Sequence, residues 1–302
     1  MTAQRQGILV ALFCVLVWAS TASVLRLSHN SLDHFQFLFW SSLFSLIAVT
    51  VVSFYKGTLS TPFKYRKIDW VMTIGVGFVG TFLYYLFLYE GFSEGKGINV
   101  IIIQYTWPLM LSFLSVFFFK ESLSWRKVIA TTLGLCAVVI VLSKGSVDDF
   151  SLQNPRLLGF VALGALCFAI FNLGMKHLKL EATSLFVVFF SVATLCSFIA
   201  MLIKSKFIWP QGLDWFSVIF VGAVINGLAD LIWMWALRKS DASCLAPFVY
   251  FTPILAMMYL MVFFHEPFYP AYGIGLVLIV ISGLLSSNMK VRLLKRKKIQ
   301  AA

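Results

Sequence analysis

The stretch GINVIIIQYTWPLMLSFLSVFFFKE, from Gly97 to Glu121, recurs in outline as ASCLAPFVYFTPILAMMYLMVFFHE, from Ala242 to Glu266. Three residue types coincide at a constant offset of 145 residues, namely Tyr105 with Tyr250, Pro108 with Pro253 and Glu121 with Glu266. Each copy is a long apolar run with a tyrosine and a proline near its middle and a glutamate just past its end. The chain is therefore interpreted as two halves, each built around one copy.

The composition indicates whether this chain resides in water or in a lipid bilayer. Of its 302 residues, 60% are hydrophobic and only 12% are charged, and the mean hydropathy is +0.91. A water-soluble protein cannot bury that much apolar surface, whereas a bilayer requires about 20 apolar residues for each crossing. The composition predicts an all-α polytopic membrane protein.

Apolar runs separated by short polar connections predict ten transmembrane helices. None of the connections is long enough to fold as a soluble domain. The predicted spans are Ile8–Leu27, Phe35–Tyr55, Trp70–Glu90, Ile98–Phe119, Val128–Ser143, Leu157–Met175, Ser184–Ile203, Trp215–Ala236, Ser243–Phe264 and Ala271–Ser287.

The net charge of +12 is distributed over short loops and a basic tail at residues 289–302. Counted over alternate loops, one side of the membrane carries 18 lysines and arginines and the other carries 6. Because positive loops stay on the cytoplasmic side, we predict a multi-pass protein of the inner (plasma) membrane with both termini cytoplasmic. The expected partners are the lipid bilayer and a small-molecule substrate, and nucleic acid is not expected.

Five spans in each half make the two halves antiparallel. Residues 8–143 and 157–288 are therefore predicted to be two inverted five-helix repeats, the arrangement in which secondary transporters bind substrate between halves near the midplane. The first span also matches the sixth, VWASTASVLRL from Val17 against CFAIFNLGMKHL from Cys167, although more loosely and at a different offset.

Asp230 is the strongest single candidate for a functional residue. It lies inside the eighth span, about 9 Å of helix rise before the inner end. An acid within a membrane helix is costly and usually faces a polar interior. Helical spacing places Asn226, Asp230 and Trp233 on one stripe. Asp230 is interpreted as a counter-ion for a cationic group or as a proton-coupling switch, and the alternative is a structural acid that is neutral or paired with a nearby basic residue such as Arg238.

Aromatic and amide side chains at membrane depth form the rest of the predicted substrate site. Such rings stack on ligands and attract cations, although packing or interfacial anchoring also accounts for them. The predicted substrate-binding residues are Trp18, Tyr84, Tyr85, Tyr105, Asn172, Asn226, Asp230, Trp233 and Tyr250. Pro108 and Pro253 are predicted to be hinges or static kinks, because each removes an intrahelical hydrogen bond.

Enzymatic chemistry has little support in the sequence. The chain has no H-E-x-x-H or G-x-S-x-G motif. Its five cysteines are scattered without metal or redox spacing, so neither a disulfide nor a metal site is expected. We predict that the protein is not an enzyme and has no cofactor.

Several of these motifs together resemble the EamA branch of the drug/metabolite transporter superfamily. They are VWASTASVLR in the first span and a closing P-x(12)-E in each half. The fragments QYTWPLMLSFLS and FVYFTPILA are similar to exporters of aromatic amino acids in that family. The resemblance implies a central cavity that alternates between two membrane faces, with Trp18, Tyr105 and Tyr250 near it. Asp230 belongs to no motif of the family and leaves room for a cationic metabolite.

Together these features predict a secondary transporter of a small polar organic metabolite, most simply an amino-acid exporter working by alternating access. The alternative is a transporter of a quaternary ammonium or sulfonium cation, such as choline or S-adenosylmethionine. A membrane-embedded enzyme or sensor is a remote third possibility. The substrate, the direction of transport and the oligomeric state do not follow from the sequence.

Overall fold

The structure, a computed structural model, describes residues 3–27, 31–94, 97–121, 124–146 and 155–286. Every regular element in these ranges is helical. The α-helices are α1 Ala3–Ala19, α2 Thr21–Leu27, α3 His34–Tyr55, α4 Lys67–Gly77, α5 Tyr84–Glu94, α6 Gly97–Gln104, α7 Trp107–Phe119, α8 Trp125–Leu142, α9 Pro155–His177, α10 Ala182–Lys204, α11 Asp214–Ile219, α12 Asp230–Lys239, α13 Ala242–Val249, α14 Phe251–Phe264 and α15 Pro270–Ser286.

Nine helical runs within the described residues are long and apolar enough to cross a bilayer. A further apolar helix, α15, has 17 residues and falls short of that length. Each of the ten predicted spans overlaps one of these helices, with ends that differ by a few residues. The end of the tenth span at Ser287 and the basic tail at 289–302 lie outside the described residues. The prediction of a helical protein with many apolar spans is confirmed.

The first copy of the repeated stretch is two helices and not one. A proline ring crowds the carbonyl of the residue four positions earlier. That residue is Gln104 for Pro108, and α6 ends there. Tyr105 and Thr106 form the junction, and α7 begins one residue before the proline. The Thr106 hydroxyl donates a 2.6 Å hydrogen bond to the Ile103 carbonyl, which satisfies part of the interrupted ladder.

The second copy is interrupted at the matching place. The fourth residue before Pro253 is Val249, and α13 ends there. Tyr250 forms the junction to α14. The Thr252 hydroxyl donates a 2.7 Å hydrogen bond to the Val249 carbonyl that the proline cannot serve. The structure also contains Pro247 inside α13, a second irregularity that the sequence analysis did not single out.

Two π-helical segments, whose turns are wider than those of an α-helix, directly precede the candidate site residues. They cover Phe78–Leu83, directly ahead of α5, and Phe220–Ala229, directly ahead of α12. Single wide turns of this kind recur at functional sites because they re-aim the side chains that follow. The second segment packs against α3, where the Ser45 hydroxyl donates a 2.7 Å hydrogen bond to the Gly222 carbonyl. A Cβ on Gly222 would collide with the Ser41 backbone, so only glycine permits this approach.

The largest side chains that are fully buried lie between helices, and many other aromatic residues face outward. Trp233, Tyr250 and Phe171 are fully buried, whereas Phe117 and Phe263 are exposed. A soluble protein would hide such rings, but in a bilayer they are solvated by lipid tails. The main core cluster joins α1, α5, α7, α9, α10, α12 and α13, so it includes helices from the beginning and the end of the chain.

The contact between Gly134 on α8 and the Tyr250 ring generates a test of this packing. A methyl group at residue 134 would overlap that ring, so Gly134→Ala is expected to lower the free energy of unfolding by about 1–3 kcal/mol. Thermal unfolding in detergent measures the change. Gly75→Ala in α4 is the matched control, because no atom lies within 4 Å of its added Cβ. Equal melting temperatures for the two variants would contradict the packing described.

Candidate functional site

Asp230 is the first residue of α12 and is buried. Its Oδ1 accepts a 3.2 Å hydrogen bond from the indole Nε1 of Trp18 on α1. The thiol of Cys14, one turn earlier on α1, donates a 3.4 Å hydrogen bond to the carbonyl of the neighbouring Ala229. Within the described ranges Asp230 takes part in no ion pair. The carboxyl group is therefore held by neutral donors only.

The structure does not support the alternative in which Arg238 neutralises Asp230. Arg238 donates instead to the carbonyls of Met175, at 3.4 Å, and Leu178, near the end of α9. Eight residues of α12 separate Arg238 from Asp230, which is about 12 Å along the helix. The alternative of an ion pair between these two residues is therefore not supported, which leaves a neutral acid as the structural alternative.

Several tryptophan rings from different helices pack together near Asp230. The rings of Trp18 and Trp233 are 5.2 Å apart, and Trp107 meets Trp233 edge-on at 6.4 Å. The Trp233 indole donates a 2.6 Å hydrogen bond to Asn172 Oδ1 on α9. The Asn172 amide nitrogen in turn donates to the Phe168 carbonyl at 2.7 Å. Asn172 is thus fully engaged in orienting Trp233.

Tyr84 and Tyr85 supply hydroxyl groups to the same region. Gln104 donates a 2.7 Å hydrogen bond to the Tyr84 hydroxyl, and the Tyr85 hydroxyl donates a 2.9 Å hydrogen bond to Asn226 Oδ1. Both tyrosines lie within electrostatic range of the Asp230 carboxyl. Seven predicted residues therefore form one group, called the Asp230 cluster below: Trp18, Tyr84, Tyr85, Asn172, Asn226, Asp230 and Trp233.

Tyr105 and Tyr250 form a separate pair. Their ring centroids are 6.4 Å apart, so the two repeat-matched tyrosines do meet. Tyr250 is fully buried against α8 and α15, and its hydroxyl has no hydrogen-bond partner among the described residues. Tyr105 is half-buried and packs on both core clusters, and it lies within electrostatic range of Tyr84. Tyr84 and Tyr105 thus connect the pair to the Asp230 cluster.

A cleft of about 560 Å³ lies elsewhere, and the predicted substrate-binding residues do not line it. Its walls are Phe119, Lys176, His177, Lys179 and Arg238, at the far ends of α7, α9 and α12.

Phe168 contacts the Asp230 cluster but is not among the predicted substrate-binding residues. The Phe168 ring stacks on Tyr84 at 4.4 Å and meets Trp107 edge-on at 4.8 Å. A signal for it was present, because aligning the first span with the sixth places Phe168 opposite Trp18. Cys14 carries no comparable signal, since a small thiol in an apolar span reads as core.

The long apolar helical runs of the described residues, with a buried polar cluster between them, are typical of a multi-pass membrane protein. The sequence matches the EamA-like transporter family twice, over residues 5–143 and 156–288. The chain belongs to the EamA-like transporter family and is a membrane transporter.

Relatives within this family differ in what their names say they carry. The aromatic amino acid exporter YddG of Ancylobacter novellus is 23% identical over 64% of this chain, a match that spans 66% of YddG. The S-adenosylmethionine uptake transporter of Rickettsia felis is 25% identical over 78% of this chain and 76% of its own length. A solved crystal structure has the same fold, with a TM-score of 0.83 and 19% identity over 93% of this chain and 97% of its own.

The hydrogen bond between Trp233 and Asn172 generates a second test. Trp233→Phe keeps most of the ring volume but leaves the buried Asn172 oxygen without a donor, which is expected to cost about 1–3 kcal/mol of unfolding free energy. Trp125→Phe is the control, because Trp125 is exposed on α8. The melting temperatures of both variants, measured by thermal unfolding, test this expectation. Identical melting temperatures would show that the Trp233 hydrogen bond contributes nothing to stability.

Proposed function

We propose that this protein is a secondary transporter of the inner membrane that exports an amino acid or a close relative by alternating access. The Asp230 cluster binds the ammonium group of the substrate, and the Tyr105–Tyr250 pair borders the path. Ten transmembrane helices form two inverted five-helix halves, residues 8–143 and 157–288, which rock about the junctions before Pro108 and Pro253.

The observation that carries the proposal is a buried carboxyl group with no cationic partner in the described residues. An ionised carboxylate in a membrane interior costs several kcal/mol unless a positive charge accompanies it. A substrate ammonium supplies that charge during binding. We expect the indole rings of Trp18 and Trp233, whose centroids are 5.2 Å apart, to add cation–π attraction. The Gln104 amide oxygen and the Tyr250 hydroxyl, which have no hydrogen-bond partner among the described residues, are expected to bind the polar remainder of the substrate.

Three features support the division into related halves. The family match falls once on each half. The α6–α7 and α13–α14 junctions occur at an offset of 145 residues, and each lies just before a proline. The π-helical segments at Phe78–Leu83 and Phe220–Ala229 also overlap at that offset. An odd number of spans in each half makes such a repeat inverted.

A transporter of a quaternary ammonium or sulfonium cation is the second candidate. The ring pair of Trp18 and Trp233 beside a carboxyl group matches the way proteins recognise such ions. A relative named for S-adenosylmethionine uptake matches more of this chain than the amino acid exporter does.

Transport assays with purified protein in liposomes are expected to decide between the candidates. Labelled phenylalanine, arginine, choline and S-adenosylmethionine are exchanged against an internal pool of the same compound. Exchange of an amino acid alone supports the export proposal, and exchange of choline or S-adenosylmethionine alone supports the second candidate. If none of the four exchanges under any ion gradient, both candidates are wrong and a sensor or enzyme gains weight.

Asp230→Asn tests the role of the carboxyl group. The amide keeps the shape but loses the negative charge, so the half-saturation concentration of the transported substrate is expected to rise about 10- to 100-fold. Asp69→Asn is the matched control, because Asp69 pairs with Arg66 outside the Asp230 cluster. Normal exchange by the Asp230 variant would exclude a counter-ion role.

The predicted orientation has its own test. A green fluorescent protein fused after Ala302 is expected to be fluorescent, and alkaline phosphatase at the same position is expected to be inactive, because both report a cytoplasmic C-terminus. The reverse result would place the C-terminus outside and invert the assignment of the two membrane faces.

A further inference from the structure

Glu121 and Glu266, the glutamates that close the repeated stretch, follow the same backbone turn. Lys120 ends α7 with φ of 52°, and His265 ends α14 with φ of 58°. This left-handed conformation is unfavourable for residues other than glycine and is uncommon for them. Its occurrence at both places indicates that the direction of each glutamate is set by the fold.

Glu121 accepts several hydrogen bonds at one end of the helix bundle. It accepts hydrogen bonds from Lys176 Nζ at 2.5 Å, from the Ser243 hydroxyl at 2.8 Å and from the first two backbone N–H groups of α13, at 3.1 and 3.2 Å. Lys176 also donates to the Ser240 carbonyl at 2.9 Å. Burial acts to raise the pKa of Glu121, but the bonds from Lys176 and Ser243 outweigh it and hold the pKa below its ordinary value.

Glu266 forms the corresponding ion pair at the opposite end, with Arg26 of α2. The Arg26 guanidinium lies 4.7 Å from the ring of Phe264, two residues before Glu266. In the same way, Lys176 Nζ lies 5.2 Å from the ring of Phe119, two residues before Glu121. Both sites therefore contain a glutamate, a cation and a phenylalanine in the same arrangement.

The sequence alignment relates the two sites member by member. Phe119 and Glu121 fall on Phe264 and Glu266 at the offset of 145, and the match of the first span with the sixth places Arg26 on Lys176. Each pair also joins the two family-matched halves, because its glutamate and its cation come from different halves. The same inter-half contact thus occurs twice, once at each end.

The two copies differ in burial. The side chains of Glu121 and Lys176 are 5% and 16% exposed, whereas those of Glu266 and Arg26 are 33% and 44% exposed. Glu121 is bound to the start of α13, but Glu266 is paired with Arg26 alone among the residues described. The Glu121–Lys176 pair is thus the more buried and the more fully hydrogen-bonded of the two, and the Glu266–Arg26 pair is the more exposed.

We infer that Glu121–Lys176 and Glu266–Arg26 are the two gates of the transporter, of which only one is fully closed at a time. The inference rests on the alternating access proposed above. By the 145-residue offset, the first two residues of α13 correspond to Gly97 and Ile98 at the start of α6. In the opposite state, Glu266 accepts from those backbone N–H groups while Glu121 leaves α13. The present structure has the Glu121 gate closed.

Cysteine labelling reports on each gate separately. Cys244 lies beside the closed gate and is buried, and the 145-residue offset places Asn99 opposite it. One protein keeps Cys244 as its only cysteine, and a second carries Asn99→Cys in a cysteine-free chain. A membrane-impermeant maleimide is applied to inside-out vesicles for the first protein and to right-side-out vesicles for the second.

Glu121→Gln and Glu266→Gln are expected to act in opposite directions. Glu121→Gln weakens the closed gate, so Cys244 is labelled at least about fivefold faster and the cysteine at residue 99 more slowly. Glu266→Gln weakens the other gate and produces the reverse. The double variant returns both rates toward those of the parent proteins. Asp69→Asn, which breaks an ion pair within one half, leaves both rates unchanged.

Unchanged rates, or shifts in the same direction for both variants, overturn the inference. If Glu121→Gln does not fold, the exposed Glu266→Gln variant decides alone. Its effect on Cys244, at the opposite face of the membrane, cannot come from a local structural change. Labelling requires no substrate. If the protein exchanges none of the four compounds but the labelling rates shift in opposite directions, the gate inference is supported and only the proposed substrates are wrong. If substrate exchange is normal but neither glutamine variant changes the labelling rates, only the gate inference is wrong.

Discussion

Every backbone carbonyl and N–H group within a membrane needs a partner inside the protein, and this constraint shapes the two repeated stretches. Pro108 and Pro253 each deprive the carbonyl four residues earlier of its helical donor, and α6 and α13 end at those residues. A threonine near each junction donates to a carbonyl of the preceding helix. These bonds satisfy part of the interrupted hydrogen-bond ladder at each junction.

The Asp230 cluster depends on a second constraint, the cost of burying charge. All its visible partners are neutral, so its carboxyl group is favourable as an anion only when a cation enters. The neighbouring tryptophans and tyrosines are themselves fixed by amides, as Trp233 is by Asn172 and Tyr85 by Asn226. Under the proposed function, a substrate meets side chains that are already oriented, which reduces the entropy cost of binding.

Hydrophobic periodicity and composition were sufficient to predict the helices, but not to predict which side chains contact one another across helices. The apolar runs predicted all nine long apolar helical runs of the described residues, and the repeat at an offset of 145 residues predicted that Tyr105 and Tyr250 correspond. The hydrogen-bond partner of Asp230 could not be predicted, because Arg238 lies close in sequence while Trp18 lies 212 residues away. The π-helical segments also escaped prediction, since no residue type marks a wide turn. Phe168 was missed because a phenylalanine in an apolar span looks like ordinary core.

The network around Glu121 has a consequence for the order in which the chain is made. Glu121 is synthesised with the first half, but its backbone and side-chain donors at Ser243 follow 122 residues later. Until then, Lys176, which lies 55 residues after Glu121, is the only hydrogen-bond donor that the described second half has supplied to this carboxylate. The network is complete only when α13 has been made, so we expect the contact between the two halves at this end to form after the ninth apolar span is inserted.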